Sequence, residues 1–250
     1  LMLLAGFDAG QTSTRCRVCR WQEDGWQIIG EGSGPGVSHL EASGGAERFR
    51  QAVLTSLKSA SEGEGERKLD AAVIGASGIE QGSALQPRAT ALLSDALALP
   101  EDRVLATGDE RTALRGAFPE GGGIILISGT GMICLGRDHQ GKEHRCGGWG
   151  WMLDGAGSAF DLGHQGLQLT LQMADGRRPD HPLRQRMWEQ LGCRGHADVK
   201  AWVVQPSRTA ADLAALAPLL VAAADAGLPA AQDILQRSAA ALVSCAATVA

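Results

Sequence analysis

The sequence has 250 residues, of which 44% are hydrophobic, and a formal net charge of −5. This length and apolar content suffice for two modest domains with hydrophobic cores, and the acidic balance argues against nucleic acid or a membrane surface as a partner. The apolar start, Leu1 to Ala5, is too short for a signal peptide, and no uncharged apolar window of about 18 residues follows. We therefore expect a cytoplasmic protein.

The cysteines do not form a metal or redox motif. Cys16 and Cys19 have C-x-x-C spacing, but they lie within one predicted strand, where residues three apart point to opposite faces. No second C-x-x-C and no paired histidines complete a zinc site. The cysteines stand at positions 16, 19, 134, 146, 193 and 245. We expect reduced thiols, most of them buried.

The N-terminal half is predicted to be a three-stranded meander followed by alternating helices and strands. The meander strands are predicted over 3–8, 14–21 and 26–31, with a turn at 23–25. A glycine-rich loop through Gly36 follows, and apolar residues at helical spacing predict a helix over 46–57. The remaining elements are a charged connection over 61–68, a strand over 69–74, a helix over 88–98 and a strand over 103–107.

The second half repeats this beginning. Its strands are predicted over 123–128, 132–137 and 142–146, with a turn from Asp138 to Gly141. This internal repeat favours two lobes of similar architecture. Beyond Ala156 the pattern becomes helical, and helices are predicted over 182–191, 210–224 and from 230 to the end.

Two loops rich in glycine and threonine lie about 120 residues apart in the sequence. The first reads G-F-D-A-G-Q-T-S-T from Gly6 to Thr14, and the second reads I-S-G-T-G from Ile127 to Gly131. Each follows an apolar run and leads into another, so each is predicted to be a strand-turn-strand whose backbone N–H groups can bind an anion. The candidate phosphate-binding residues are Gly10, Thr12, Gly129, Thr130 and Gly131.

Three further segments extend this pattern: T-G-D-E-R-T-A-L-R-G-A over 107–117, C-G-G-W-G-W over 146–151, and D-G-A-G-S-A-F-D-L-G over 154–163. Together with the loops, they make the sequence resemble the actin, sugar kinase and heat-shock ATPase superfamily. Within it, the sequence resembles the N-acetylglucosamine and glucosamine kinases of the BadF/BadG/BcrA/BcrD ATPase group from Leu3 onward. The resemblance implies an α/β fold of two ribonuclease H-like lobes, over 1–117 and 118–250, with a nucleotide and sugar cleft between them.

The resemblance also implies roles for two aspartates. Asp109 stands at the position of the catalytic base that accepts the proton of the sugar hydroxyl. Taken without the resemblance, it is better explained as a helix N-cap, for which aspartate is a favoured residue. Asp8 ends the first strand and is expected to hold Mg²⁺ through water, because this ion keeps most of its waters. The next residue departs from the family pattern, since Ala9 replaces a glycine.

Sugar-binding residues are implied at several places. Gly147-Gly148-Trp149 matches a loop that contacts the substrate, whereas Trp151 is expected to anchor the core. Ser38 stands at the place of a sugar-contacting asparagine, and Ser77-Gly78 matches a turn that faces the cleft. Such polar groups suit the recognition of hydroxyls.

One departure from the family pattern affects sugar recognition. The family reads Gly-Asp-Glu where this chain reads Asp154-Gly155-Ala156, so glycine replaces the sugar-binding aspartate. Asp154 is then the candidate that reaches the same hydroxyl from one residue earlier. Sugar specificity, and to a lesser degree activity, therefore stays open.

The resemblance implies an ATP-dependent kinase that phosphorylates the 6-hydroxyl of an amino sugar, N-acetylglucosamine or glucosamine, with ATP and Mg²⁺. One alternative is an activator-type ATPase, although those carry a cysteine before the second loop, where this chain has Ile127 and Ser128. The other is a non-catalytic sugar-sensing protein of the same fold, which would account for the altered segment at 154–156. The oligomeric state also stays open, with a homodimer among the options.

The end of the sequence bears on the nucleotide pocket. The family places a further strand and a glycine-rich adenosine-binding turn after such a C-terminal helix, and neither precedes Ala250. We expect the 250 residues to be a fragment with an incomplete C-terminal lobe. The alternative is a protein that has lost part of its nucleotide pocket.

Overall fold

The computed structural model describes residues 2–23, 25–61 and 68–250. Most of the charged connection predicted over 61–68 lies outside these residues, as does Asp24 of the predicted turn. The chain forms two compact units: unit 1, Leu1–Pro119, and unit 2, Glu120–Ala250. Each unit contains one β-sheet together with helices, and the predicted α/β class is confirmed.

Unit 1 is built on a five-stranded sheet in the order β3-β2-β1-β4-β5. Its strands are β1 (Leu3–Ala9), β2 (Ser13–Gln22), β3 (Gly25–Pro35), β4 (Ala71–Ala76) and β5 (Val104–Thr107). Strand β2 is antiparallel to both β1 and β3, as the predicted meander requires, and β4 and β5 run parallel to β1. Every second residue of β1 is buried, which follows from the two-residue period of a strand.

Three helices complete unit 1: α1 (Gly45–Ala60), α2 (Leu85–Leu97) and α3 (Asp109–Ala117). Helix α1 packs on β2 and β3 and buries Phe49 and Val53, two of the residues whose spacing predicted it. Helix α2 packs on β5, and α3 packs on β4 and β1. These contacts produce one hydrophobic core, which extends from Leu3 to Ala106.

Strand β3 is longer than predicted. The sequence predicted a strand ending at Glu31 and a glycine-rich loop, but the strand continues to Pro35. Gly30, Gly32 and Gly34 lie against the backbone of α1: a Cβ on Gly34 would stand 2.9 Å from the Ser56 nitrogen, and one on Gly32 would overlap the same helix. The glycines therefore permit close packing of a helix on a strand and do not mark a loop.

Unit 2 combines a three-stranded antiparallel sheet with six helices among its described residues. The sheet has the order β6-β7-β8, with β6 (Gly123–Ser128), β7 (Met132–Arg137) and β8 (Glu143–Gly147). The helices are α4 (Ala159–Ala174), α5 (Pro182–Gln190), α6 (His196–Val203), α7 (Ala210–Ala214), α8 (Ala217–Asp225) and α9 (Pro229–Val249). Helices α4 to α9 form a second core, and α9 also packs on β7 and β8.

The helical part differs from the prediction in two respects. The helix predicted over 210–224 is two helices, because Pro218 lacks the N–H that would continue α7 into α8. Helix α6 was not predicted, since it has only eight residues and buries just Val199 and Trp202. In the described part of the chain, no single helix is long and apolar enough to span a membrane. Taken together, the helices Ala210–Asp225 and Pro229–Val249 meet the length and composition required for a membrane span, but they are bent by 118° relative to each other.

The cysteines are all free thiols and all lie among the described residues. Cys16, Cys134 and Cys193 are buried, whereas Cys19, Cys146 and Cys245 are partly exposed. The expectation of reduced thiols fits this structure, but half of them, not most, are buried. Burial raises the pKa of the Cys16 thiol to about 12, which suits a packing residue.

Candidate functional site

The parallel strands of unit 1 end at one edge of the sheet, where most of its predicted site residues lie. Asp8 on β1 is in register with Gly75 on β4, and Gly75 is in register with Thr107 on β5. Because parallel strands present their carboxyl ends together, residues that follow them converge at this edge. Asp8 is exposed there, and Asp109 begins helix α3 two residues after β5 ends.

Asp109 is the first residue of α3 and not its N-cap. Gly108 occupies the N-cap position, and the Asp109 carboxylate accepts a hydrogen bond of 3.1 Å from the backbone N–H of Glu110. Burial raises the pKa of the Asp109 carboxyl, hydrogen bonds from Glu110 oppose this, and the facing charge of Asp8 raises the pKa further. The N-cap explanation is therefore wrong, and a partly buried carboxyl remains that no cap role explains.

The first glycine-rich loop joins β1 to β2. The N–H of Gly10 donates to the Ser13 carbonyl at 3.0 Å, which closes the turn, and the Gly10 carbonyl accepts from Val37 at 2.9 Å. Thr12 at the tip of the turn is exposed. A side chain on Gly36 would overlap the backbone of this turn, so the 36–38 segment is held directly against it.

The other predicted residues of unit 1 lie beside this turn. The Ser38 hydroxyl is inaccessible to solvent and has no hydrogen-bond partner, which leaves an unsatisfied polar group in a place predicted to contact sugar. The N–H of Ser77 donates to the Ala9 carbonyl at 2.9 Å, which ties the turn after β4 to the end of β1. Gly78 has a φ of +84°, and the Cβ position on it lies 3.6 Å from the His39 ring. Unit 1 thus gathers the first loop, Ser38, Ser77-Gly78 and both aspartates at one edge.

The second glycine-rich loop joins β6 to β7 in unit 2 and is fastened to the start of helix α4. The carbonyls of Gly129 and Thr130 accept from the N–H groups of Ala159 and Phe160 at 2.8 and 3.4 Å. Gly129, Thr130 and Gly131 are exposed, whereas the Ser128 hydroxyl donates to the Gly157 carbonyl at 2.7 Å. The loop therefore presents its glycines and threonine outward from a fixed base.

Arg145 holds the predicted substrate loop of unit 2 in place, a role that no local sequence pattern predicts. Gly147 and Gly148 have φ of +74° and +77°, a conformation that favours glycine. The Arg145 guanidinium donates to their carbonyls and stacks over the ring of Trp149, which is 61% exposed. Trp149 is therefore a surface residue and does not belong to a hydrophobic core.

Asp154 lies near this loop. Its Oδ2 is 3.3 Å from the Cβ position on Gly147, and its N–H donates to the Gly150 carbonyl at 2.8 Å. Trp151, which we expected in the core, is 45% exposed and packs its ring 4.9 Å from that of Phe160. Trp151 follows Gly150, whose φ is +93°, and its ring packs against the buried Phe160.

The chain matches the BadF/BadG/BcrA/BcrD ATPase family over residues 5–250. It is 32% identical over 114 residues to the N-acetylmuramic acid/N-acetylglucosamine kinase of Clostridium acetobutylicum, an alignment that covers 46% of this chain and 37% of that protein. It is 33% identical over 106 residues to the N-acetyl-D-glucosamine kinase of Dictyostelium discoideum, covering 42% of this chain and 33% of that protein. Each alignment thus spans about a third of its relative.

Two solved structures resemble this fold along nearly its whole length. One is a protein from Chromobacterium violaceum that is described as a candidate N-acetylglucosamine kinase. It is 29% identical to this chain with a TM-score of 0.81, and the match covers 98% of this chain and 82% of that one. The other, from Porphyromonas gingivalis and named in the same way, has 22% identity and a TM-score of 0.72, covering 95% and 77%. The predicted resemblance is confirmed: this chain belongs to the BadF/BadG/BcrA/BcrD ATPase family.

Proposed function

We propose that this chain carries an ATP-dependent kinase activity that phosphorylates the 6-hydroxyl of an amino sugar, N-acetylglucosamine or glucosamine. The observation that carries the proposal is the edge of the unit 1 sheet, where Asp8 ends β1 at the first glycine-rich loop and its charge raises the pKa of the partly buried Asp109. The names of the relatives support the substrate class, and one of them adds N-acetylmuramic acid as a candidate. The proposal keeps the assignment of residues 1–117 and 118–250 to two ribonuclease H-like lobes.

Asp109 is proposed as the base that accepts the proton of the 6-hydroxyl as the phosphoryl group is transferred. Its position at the start of a helix fixes the backbone, and the bond from the Glu110 N–H orients the carboxylate. Phosphoryl transfer depends mostly on positioning and on neutralisation of charge, so this orientation of the hydroxyl contributes as much as the basicity of the carboxylate.

The two loops are proposed to bind the phosphates of ATP. Gly10 and Thr12 belong to the first loop, and Gly129, Thr130 and Gly131 to the second. Both turns are closed by internal hydrogen bonds from Gly10 and Gly129, so each tip has a defined shape before nucleotide binds. Preorganised donors of this kind stabilise the charge that develops on the transferred group.

Mg²⁺ fits the donors that unit 1 offers. Among the described residues, no three His, Cys, Asp or Glu side chains are arranged as a metal site. Mg²⁺ does not need such a set, because it binds through one or two carboxylates together with water and substrate phosphates. The exposed carboxylate of Asp8 would hold the ion, which would supply positive charge to the phosphates.

The sugar is proposed to contact Ser38, Ser77, Gly78, Gly147, Gly148, Trp149 and Asp154. The unpartnered Ser38 hydroxyl supports this assignment most directly, since a substrate hydroxyl would complete its hydrogen bonding. The proposal includes a cytoplasmic location without nucleic-acid or membrane partners, and it leaves monomer and homodimer open.

The test is a coupled assay of ADP release, with Mg²⁺, across glucose, glucosamine, N-acetylglucosamine and N-acetylmuramic acid. We expect turnover with at least one amino sugar and a phosphorus NMR spectrum of a 6-phosphate. Binding of an amino sugar without ADP release would instead favour the sugar-sensing alternative. The replacement of the family's aspartate by Gly155 is consistent with that alternative. ADP release that no sugar stimulates would favour the activator-type ATPase.

A further inference from the structure

A polar groove of about 210 Å³ lies between helices α4 and α9 of unit 2, and none of the residues proposed to contact ATP or sugar lines it. Its floor contains Leu169 and Ile234, which are both buried. Polar side chains form its walls: Gln165, Gln168, Gln172, Arg178, Asp233 and Arg237. An apolar floor with convergent polar groups is the usual form of a small-molecule site. We refer to it as the α4–α9 groove.

The charged side chains of the α4–α9 groove are available to a ligand. In the described part of the chain, neither the guanidinium of Arg178 nor the carboxylate of Asp233 has a hydrogen-bond or ion-pair partner. The Arg237 guanidinium donates through Nη2 to Oε1 of Gln165 at 3.1 Å. Two guanidiniums and one carboxylate thus line this groove, although the chain as a whole has a net charge of −5.

These groups favour a phosphate ester that also carries hydroxyl or amino groups. Guanidinium N–H groups match phosphate oxygens in pairs, and the amides of Gln168 and Gln172 can both donate to and accept from hydroxyls. The Asp233 carboxylate would repel a bare inorganic anion, but it can accept hydrogen bonds from a hydroxyl or an ammonium group. A hexose phosphate supplies all of these groups in one small molecule.

A chain of hydrogen bonds leads from the α4–α9 groove to the second glycine-rich loop. Gln165, which accepts from Arg237, donates through Nε2 to Oδ2 of Asp161 at 2.9 Å. The same oxygen accepts from the N–H of Gly157 at 3.4 Å, and the Gly157 carbonyl accepts from the Ser128 hydroxyl at 2.7 Å. Ser128 ends β6 directly before the loop. Such a continuous network can carry coupling between two sites.

We propose that the α4–α9 groove binds a hexose phosphate and that its occupancy lowers the affinity of the second glycine-rich loop for nucleotide. The second part rests on the proposed function, in which this loop binds the phosphates of ATP. The bound phosphate draws the Arg237 guanidinium away from Gln165, which then no longer holds the Asp161 carboxylate in place. By linkage, ATP must lower the affinity for the hexose phosphate by the same factor.

The binding test is calorimetric titration with glucosamine 6-phosphate, in excess glucosamine so that the proposed sugar site is occupied. We expect Arg178→Ala and Arg237→Ala each to weaken binding about 10-fold, because each removes a charged hydrogen-bond donor. Arg186→Ala, which alters an exposed arginine of α5, is the matched control and should bind as wild type does. Inorganic phosphate alone should bind at least about 10-fold more weakly than glucosamine 6-phosphate.

Three results of this titration would overturn the site. One is the absence of binding by the wild-type protein, and another is binding that neither groove variant weakens. The third is inorganic phosphate that binds as tightly as glucosamine 6-phosphate, since the groove would then recognise only an anion. Because Arg178 and Arg237 are exposed, we expect both variants to fold.

The coupling is tested by binding of the non-hydrolysable ATP analogue AMP-PNP, with and without glucosamine 6-phosphate. We expect about fivefold weaker binding of AMP-PNP in its presence. Asp161→Ala interrupts the hydrogen-bond chain without altering the lining of the groove, so it should bind glucosamine 6-phosphate normally but lose this effect. Asp198→Ala, which removes an acidic residue from the first turn of α6, is the matched control and should keep it.

An AMP-PNP affinity that glucosamine 6-phosphate leaves unchanged in the wild-type protein would overturn the coupling. An effect that persists in full in Asp161→Ala would overturn it as well. If the chain binds no AMP-PNP, the coupling fails together with the proposed function. The hexose phosphate site is independent of that result, because the arginine variants alone decide it.

Discussion

The guanidinium carbon of Arg145 lies 4.6 Å from the centre of the Trp149 ring, while the same group donates to the carbonyls of Gly147 at 3.1 Å and Gly148 at 2.5 Å. One side chain therefore fixes two residues with positive φ and the aromatic ring that follows them. The planar fork of arginine can donate and stack at once, which lysine cannot do. The shape of the proposed substrate loop thus depends on a residue two positions before it.

Arg145→Lys is expected to raise the sugar KM about 10-fold, because charged hydrogen bonds to both carbonyls are weakened and the stack is lost. The kcat at saturating sugar should change less, since Asp109 belongs to the other unit. Steady-state kinetics with varied sugar give both constants. Arg184→Lys, which alters an arginine stacked at 5.2 Å over Trp188 among the helices, is the control. Equal KM values in all three proteins would show that the loop does not bind the sugar.

Asp109→Asn is expected to lower kcat by about 10² to 10⁴ while sugar binding stays nearly intact, because the amide keeps the shape of the side chain but cannot accept a proton. Turnover is measured by ADP release and sugar binding by calorimetry. Asp102→Asn, an exposed change in the same unit, should behave as wild type. A variant that keeps more than half of the wild-type turnover would remove Asp109 from the role of base.

Gly32→Ala is expected to destabilise unit 1 by about 1 to 3 kcal/mol, since the added methyl would overlap the α1 backbone around Ser56 and Ala60. Gly6→Ala is the matched control, because a Cβ at that position of β1 meets nothing within 4 Å. Thermal unfolding of the two variants should differ clearly in midpoint. Equal midpoints would mean that α1 does not lie this close to β3.

The sequence could predict those features that depend on local pattern. Strand β1 and its loop follow from an apolar run that ends at Asp8 and is followed by glycine, and Asp109 could be predicted to begin a helix because it follows a strand and a Thr-Gly pair. The meander and helix α1 follow from simple periodicities of two and 3.6 residues. Such features need no knowledge of distant neighbours.

Features that depend on tertiary contact could not be predicted. Gly32 looks like a loop residue until α1 is placed against it. Glu110 looks like a solvated residue of a first helical turn, but it is buried, and nothing in the local sequence shows that Gly108 leaves room for its carboxylate. Arg145 looks like an ordinary strand residue, and its hydrogen bonds to the following loop depend on the positive φ of Gly147 and Gly148.

Variants in the segment from Asp154 to Ala156 test whether Asp154 replaces the family's sugar-binding aspartate or whether that contact has been lost. Asp154→Ala is expected to raise the sugar KM about 10- to 100-fold if the Asp154 carboxylate, which lies beside Gly147, accepts a hydrogen bond from the sugar. Calorimetric titration with N-acetylglucosamine and glucosamine measures the effect directly. An unchanged affinity for both would exclude Asp154 from the sugar site.

Gly155→Asp tests the other account, in which the chain has lost the family's contact. A Cβ on Gly155 would lie 3.0 Å from the Trp151 carbonyl and 3.3 Å from Cδ1 of Phe160, so the exposed Trp151 loop must shift by a few tenths of an ångström. Given that shift, the new carboxylate should tighten binding of an amino sugar, whereas Ala156→Asp at the next, exposed position should not. If Asp154→Ala, Gly155→Asp and Ala156→Asp all bind every sugar as wild type does, this segment does not line the substrate site. The assignment of an amino sugar would then rest on the relatives alone.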